Sequence, residues 1–192
     1  MKKVILSLAL FAGLATAAQA QDGARIGIRA GISANTLSGD NTDDLTYALG
    51  GLGGLTANFP LSEKVSIQPE LLYNLKGTQF DDTSVRLDLH YVDLPIFVKY
   101  RTGGFYVEAG PQVGYLLSAK LGGEDKASIE TDQLQRFQFG YAAGLGYYLT
   151  EGLSLGLRFN GGINSVGKDD GALDQQRTQS FNFVVGYEFG SK

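Results

Sequence analysis

The chain has 192 residues, one domain's worth by length, with 27 glycines, no cysteine, no tryptophan, one histidine and a formal charge of −4. The lack of cysteine excludes disulfide scaffolds, thiolate zinc sites, iron–sulfur clusters and thiol enzymes, and the acidic balance gives no footprint for nucleic acid. With four prolines, no Gly-X-Y period and 43% hydrophobic residues, the chain is neither collagenous nor disordered, so its glycine has a repeated structural use.

The first twenty residues read as an address. Met1-Lys2-Lys3 is a short basic segment, residues 4–14 are an apolar run, and Ala18-Gln19-Ala20 is the small-x-small pattern that precedes signal-peptidase cleavage. The run falls short of the ~20 apolar residues of a spanning helix, and no stop-transfer charges follow it. A lipoprotein anchor needs a cysteine at the cleavage site, and there is none. The expected division is a cleaved signal over 1–20 and one domain over 21–192.

The rest of the chain reads in period two. Ile26, Ile28, Ala30 and Ile32 alternate with Arg25, Gly27, Arg29 and Gly31. Val65, Ile67, Pro69, Leu71, Tyr73 and Leu75 alternate with Ser66, Gln68, Glu70, Leu72, Asn74 and Lys76. From Phe105 to Leu117 the odd residues are Phe, Val, Ala, Pro, Val, Tyr and Leu, and the even ones are small or polar except for Tyr106 and Leu116. Similar splits run from Phe137, Leu153 and Phe181. Such alternation describes strands with different solvents on their two faces. Eight strands are predicted, at about 24–33, 48–59, 65–78, 87–101, 105–119, 136–149, 153–166 and 178–190. In 87–101 the apolar phase switches near Tyr91-Val92, which predicts a bulge there. Most of these strands exceed the usual ~5–6 residues and suit the ~9–11 tilted residues that cross a bilayer.

The connections alternate as well. Pro60-Leu61-Ser62-Glu63-Lys64, Thr102-Gly103-Gly104 and Thr150-Glu151-Gly152 are tight, whereas 34–47, 79–86, 120–135 and 167–177 are long. Short and long in turn is the pattern of an up-and-down barrel with one trimmed rim, and both termini then lie on the trimmed side. In an outer-membrane barrel that side is the periplasm.

Three features predict which face meets lipid. The polar face carries Arg25, Arg29, Lys76, Lys99, Arg136 and Arg158 against Glu70, Asp93, Glu108 and Glu188, filled in by Gln68, Gln112, Gln138, Asn160 and Asn182. That is what a narrow barrel needs to plug its interior with paired charges and amides. The apolar face has aromatics near both strand ends: Phe59, Tyr100, Phe105, Tyr147, Tyr187 and Phe189 by the short turns, and Tyr73, Tyr115, Phe137, Phe139 and Phe181 by the long loops. These match two headgroup belts. Glycines 27, 31, 50, 54, 110, 114, 140, 144, 146, 156, 162 and 186 share the polar face, where they leave room for long charged side chains, while Gly51, Gly53 and Gly161 take the other phase.

At this point the chain resembles the porin-like, PorT-type outer membrane β-barrel family of Bacteroidetes. The resemblance is carried by the signal ending Ala18-Gln19-Ala20-Gln21, by Ile26-Gly27-Ile28-Arg29-Ala30-Gly31, Ile67-Gln68-Pro69-Glu70-Leu71-Leu72-Tyr73, Tyr91-Val92-Asp93-Leu94-Pro95-Ile96-Phe97-Val98-Lys99-Tyr100, Phe105-Tyr106-Val107-Glu108-Ala109-Gly110-Pro111 and the closing Val185-Gly186-Tyr187-Glu188-Phe189. It covers the whole chain after residue 20. It implies location and fold and little about activity. One departure is that three residues follow Phe189, where many barrels end on their last aromatic.

The search for chemistry yields little. His90 lies near Ser84 and Asp88, but no Gly-x-Ser-x-Gly or other acyl-hydrolase signature accompanies it. Asp40-Asn41-Thr42-Asp43-Asp44 lacks the turn glycine and distal glutamate of a calcium-binding EF-hand loop, and Glu124-Asp125 and Asp169-Asp170 read as solvated acids. Gly50-Gly51-Leu52-Gly53-Gly54 precedes no helix and cradles no phosphate. The long loops hold twelve acids against five bases, so the outer rim is strongly negative and suited to bridging lipopolysaccharide through divalent cations, or simply to solubility.

The expectation is an all-β, eight-stranded antiparallel up-and-down transmembrane β-barrel in the outer membrane, with both termini periplasmic, no enzymatic activity and no cofactor or metal. Arg29, Glu70, Asp93, Lys99, Glu108, Arg158 and Glu188 are its structural interior charges. Its partners are outer-membrane lipids, the barrel assembly machinery and an unknown envelope or extracellular protein, not nucleic acid. Two alternatives stay open: a narrow porin-like channel for small solutes, and a soluble periplasmic ligand-binding barrel with its Phe/Leu face inward.

Overall fold

A computed structural model describes residues 23–39, 45–80, 86–122, 127–129, 134–167 and 176–190. The signal segment, the loop acids Asp40 to Asp44, Glu124-Asp125 and Asp169-Asp170, and Ser84 lie outside the described residues.

Alternating residues build long strands: β1 (Arg25–Ser38), β2 (Leu45–Pro60), β3 (Val65–Phe80), β4 (Arg86–Thr102), β5 (Phe105–Gly122), β7 (Phe137–Tyr148), β8 (Leu153–Gly162) and β9 (Arg177–Glu188). Each pairs antiparallel with the next, β4 pairs with β5, and β9 returns to β1 from Gly27↔Glu188 to Ser38↔Arg177. The result is a closed, eight-stranded antiparallel barrel. Closure leaves no edge, so the barrel's backbone groups bond strand to strand, as a hydrocarbon surrounding demands. A three-residue strand, β6 (Ala127–Ile129), pairs only with the far end of β5.

The tight turns follow from local chemistry. Gly103 and Gly104 have φ of 54° and 89°, the pair of left-handed residues that a two-residue hairpin requires. At the β7–β8 turn the Leu149 amide donates to the Leu153 carbonyl at 2.8 Å, and the Thr150 hydroxyl accepts from the Leu153 amide at 3.0 Å. Arg25 and Glu188 stand at this same end, so both ends of the barrel domain lie on the short-turn side.

Exposure sorts the two faces as the pattern predicts. Leu145 and Leu157 are 58% and 59% exposed on the outside, whereas Glu70 is 0% exposed inside. Phe105, Tyr147 and Tyr187 at one end, and Tyr115, Phe137 and Phe181 at the other, also point outward. Edge-to-face pairs join Phe105 to Tyr147 (ring centroids 4.7 Å apart) and Tyr115 to Phe137 (5.2 Å). A soluble barrel would need this Phe/Leu face inward, so that alternative fails.

Four local expectations need correction. First, β1 to β4 run further at the long-loop end than the pattern suggested, because pairing continues past the apolar residues: Thr36↔Gln179, Leu37↔Thr178 and Ser38↔Arg177 prolong the ladder. Second, β8 stops at Gly162 rather than reaching 166. Third, the bulge near Tyr91 is real but lies in β5. Register steps from His90↔Ser118 to Tyr91↔Leu116, which leaves Leu117 as the extra residue. Alternation in β4 itself is unbroken, with Leu87, Leu89, Tyr91, Asp93, Phe97 and Lys99 all buried. What changes along β4 is the interior it faces. At the long-loop end that interior is an apolar cluster of Leu37, Leu87, Leu89, Tyr91, Leu116, Ala119, Leu134 and Val166. Fourth, Arg136 precedes β7 and is exposed rather than interior.

Candidate functional site

Chemistry-bearing side chains converge on the barrel axis. Inward phase on five strands brings Arg29 (β1), Glu70 (β3), Lys99 (β4), Glu108 (β5) and Arg158 (β8) together, all at most 4% exposed. Arg158 is the hub. Its Nη1 lies 2.9 Å from Glu70 Oε2, its Nη2 lies 2.6 Å from Glu108 Oε1, and its Nε donates to the same Glu108 oxygen at 3.0 Å. Arg29 Nη1 bridges the two acids at 2.9 Å and 3.3 Å. Lys99 Nζ reaches Glu108 Oε2 at 3.5 Å and donates to Gln68 Oε1 at 2.7 Å, and Gln68 in turn donates to Glu70 at 2.6 Å. The Arg158 guanidinium also sits 4.1 Å from the Phe97 ring centroid.

The other two expected charges stand apart. Asp93 pairs with Lys76 at 2.9 Å, and Asn74 and Gln138 complete that layer at 3.0 and 3.1 Å. Glu188 sits toward the short-turn mouth, where it accepts from the Tyr148 hydroxyl at 2.5 Å and from Asn58 at 3.4 Å. An amide layer, Asn160 to Gln112 at 2.6 Å and Asn182 to Asn160 at 2.8 Å, fills more of the axis.

Pattern reading missed the interior aromatics. Tyr91, Phe97, Tyr106 and Tyr148 all face the axis and lie against its cations, with Lys76 Nζ 4.6 Å from the Tyr91 ring centroid and Lys99 Nζ 4.5 Å from that of Tyr106. The signal is present in the alternation, since each takes the inward phase of its strand. His90 sits partly exposed near the long-loop end and shares a 2.5 Å hydrogen bond with the Tyr73 hydroxyl, and Ser118 stands opposite it in the β4–β5 ladder. Among the described residues no cluster of His, Cys, Asp or Glu could hold a metal ion.

Built this way, the described part of the axis is lined by side chains bonded to one another. Each of the long charges has an oppositely charged partner, and glycines make space for them. A Cβ at Gly144 would stand 3.3 Å from Glu108 Oε1, and one at Gly186 would meet the Arg29 guanidinium at 3.5 Å.

The geometry meets an independent finding here. The family model described as outer membrane protein β-barrel domain matches residues 18–167. The chain belongs to that family. Among solved structures, this outer membrane β-barrel resembles Neisserial surface protein A, with 16% identity, 88% of this chain and 100% of that chain covered, and a TM-score of 0.59. It also resembles Ail, the attachment invasion locus protein of Yersinia pestis, in a complex with the heparin analogue sucrose octasulfate (15% identity, 86% and 99% covered, TM-score 0.51). At these identities the likeness is one of fold. No curated protein matches the sequence.

Proposed function

We propose that this outer membrane β-barrel is a non-conducting, non-enzymatic resident of the membrane that acts through its long loops. The observation that carries this is the interior. Arg29, Glu70, Lys99, Glu108 and Arg158 form one ion-pair network across the axis, and the Leu89–Tyr91–Leu116 cluster fills the long-loop end. An eight-stranded barrel has room inside for little beyond its own side chains, so a narrow-pore reading would need these bonds broken. The seven interior charges then serve structure rather than turnover.

In this reading residues 1–20 are a cleaved signal and the short turns face the periplasm. The acidic loops face outside, where they bridge anionic lipid through divalent cations or meet a basic partner protein. The heparin analogue bound by Ail is a polyanion, and twelve loop acids against five bases favour the opposite charge here. Delivery requires the barrel assembly machinery. The proline-bearing Ile67 to Tyr73 and Tyr91 to Tyr100 segments support a place in the PorT-type branch.

Planar-bilayer recording tests this directly. Reconstituted protein is expected to give no channel events, and reproducible unitary conductance would overturn the plugged reading. Deleting the loops is expected to abolish any cell-surface phenotype while leaving a heat-modifiable barrel in the outer membrane. A phenotype that survives the deletion would remove the loops from the function.

A further inference from the structure

The two ends of the barrel interior differ. The long-loop end is filled by apolar side chains, whereas the short-turn end opens into a cavity of about 220 Å³. Its walls carry three cations, Arg25, Arg101 and Lys64, and two carboxylates, Glu63 and Glu188, together with Asn58 and Tyr148. Glu188 is already engaged by the Tyr148 hydroxyl, Asn58 and, at 3.9 Å, Arg25. Glu63 and Lys64 are adjacent on the β2–β3 turn, so their charges balance formally there. Arg101 makes no ion pair among the described residues. Its guanidinium lies 3.9 Å from the Tyr148 ring centroid, and its backbone amide is fixed to the Lys64 carbonyl at 2.7 Å. A guanidinium stacked on a ring keeps its N–H donors in its own plane, free to grip an oxyanion at the edge. Tyr148 on the cavity wall in turn accepts from Lys99 at 3.5 Å, and Lys99 also donates to Gln68 at 2.7 Å.

We infer that this mouth is a binding site for a phosphate group, held by Arg101 and Arg25. A half-open cavity of this size admits a phosphate group, so free inorganic phosphate and the phosphodiester of a lipid headgroup are both suitable sources. The site does not depend on which compartment the mouth faces, nor on whether the loops have a partner.

The test uses the full-length barrel in an amine-oxide detergent, which carries no phosphate. Inorganic phosphate and, separately, water-soluble glycerophosphoglycerol are titrated by calorimetry and by ³¹P line broadening. Saturable binding of at least one probe is expected. The affinity should fall at least ten-fold in R101Q and be unchanged in R177Q, at the opposite rim. Heat-modifiable gel migration of each variant establishes that it is folded, and R25Q serves as a second variant if R101Q does not fold. Tighter binding of the diester assigns the site to a lipid headgroup, and tighter binding of the free ion assigns it to soluble phosphate. No saturable binding of either probe overturns the inference. So does equal loss in R177Q, which would mark general surface charge, or wild-type affinity in a folded R101Q or R25Q.

Discussion

Replacing Glu70 with glutamine should harm this barrel more than replacing Arg158 with methionine, although Arg158 makes more contacts. The central cluster holds three cations, Arg29, Lys99 and Arg158, and two anions, Glu70 and Glu108. R158M leaves two charges of each sign. E70Q leaves three cations around Glu108 alone. A carboxylate left in excess can take up a proton, whereas a guanidinium left in excess cannot lose one. Glu70 also makes two ion pairs at 2.9 Å, with Arg29 and Arg158, and each unit-charge pair at such range is on the order of 4 kcal/mol at an effective dielectric of ~20. Breaking a buried pair from one side costs ~3–5 kcal/mol, so E70Q is placed at the upper end and R158M at or below the lower. The assay is reversible urea unfolding in lipid vesicles, read by heat-modifiable gel migration and circular dichroism, since the chain has no tryptophan. With a urea slope of ~1–3 kcal/mol/M, the gap between the variants is about 1 M in midpoint. The double variant should lose less than the sum of the two singles, because it restores a net of one positive charge. If R158M proves the less stable, or both variants shift by under about 1 kcal/mol, charge balance does not govern the interior.

Other consequences are open to the same assay. Gly114→Val places a Cβ 2.5 Å from Asp93 Oδ1 and should cost ~1–3 kcal/mol by overpacking, whereas Gly53→Val, with nothing nearer than 3.8 Å, should be neutral or stabilising. Equal effects at the two sites would mean that the glycines do not provide interior space. Leu89→Ala removes a side chain that is 0% exposed in the apolar end of the interior and should cost ~2–5 kcal/mol, so a neutral result would show that this end is loosely filled. Leu145→Arg puts a charge on the outer face and should cost ~2–4 kcal/mol if that face meets lipid near the midplane, with little effect expected if it meets water.

Much of the fold was legible because strand phase is local. Ile26, Ile28 and Ile32 against Gly27, Arg29 and Gly31 states in a few residues that the two sides of β1 meet different media. Phase also places each interior charge on the axis side. It does not say which charge meets which, because depth along the axis is set by shear between strands. Asp93 therefore pairs with Lys76 rather than joining the central cluster, and Glu188 lies nearer the mouth. The misreading at Tyr91 has a related cause. One strand's pattern cannot separate a register change from a change in what fills the interior, and here both occur, the extra residue in β5 and the apolar filling behind β4. Arg101 escaped notice because it stands at a strand end, where phase carries no weight. The β5–β6 pairing has no alternation long enough to read.

The central ion network also bears on how the barrel forms. Lys99 and Glu108 meet within the β4–β5 hairpin, but the arginine bonds join residues 41, 50, 79 and 88 positions apart, drawn from β1, β3, β5 and β8. No hairpin contains a complete set, so a partly curled sheet would hold unneutralised cations and carboxylates beside hydrocarbon. The closed ring removes what remains of that cost by bringing Arg29 and Arg158 onto Glu70 and Glu108 together. The charges at the axis thus act as a checkpoint on insertion, penalising every intermediate that enters the lipid before β9 has found β1.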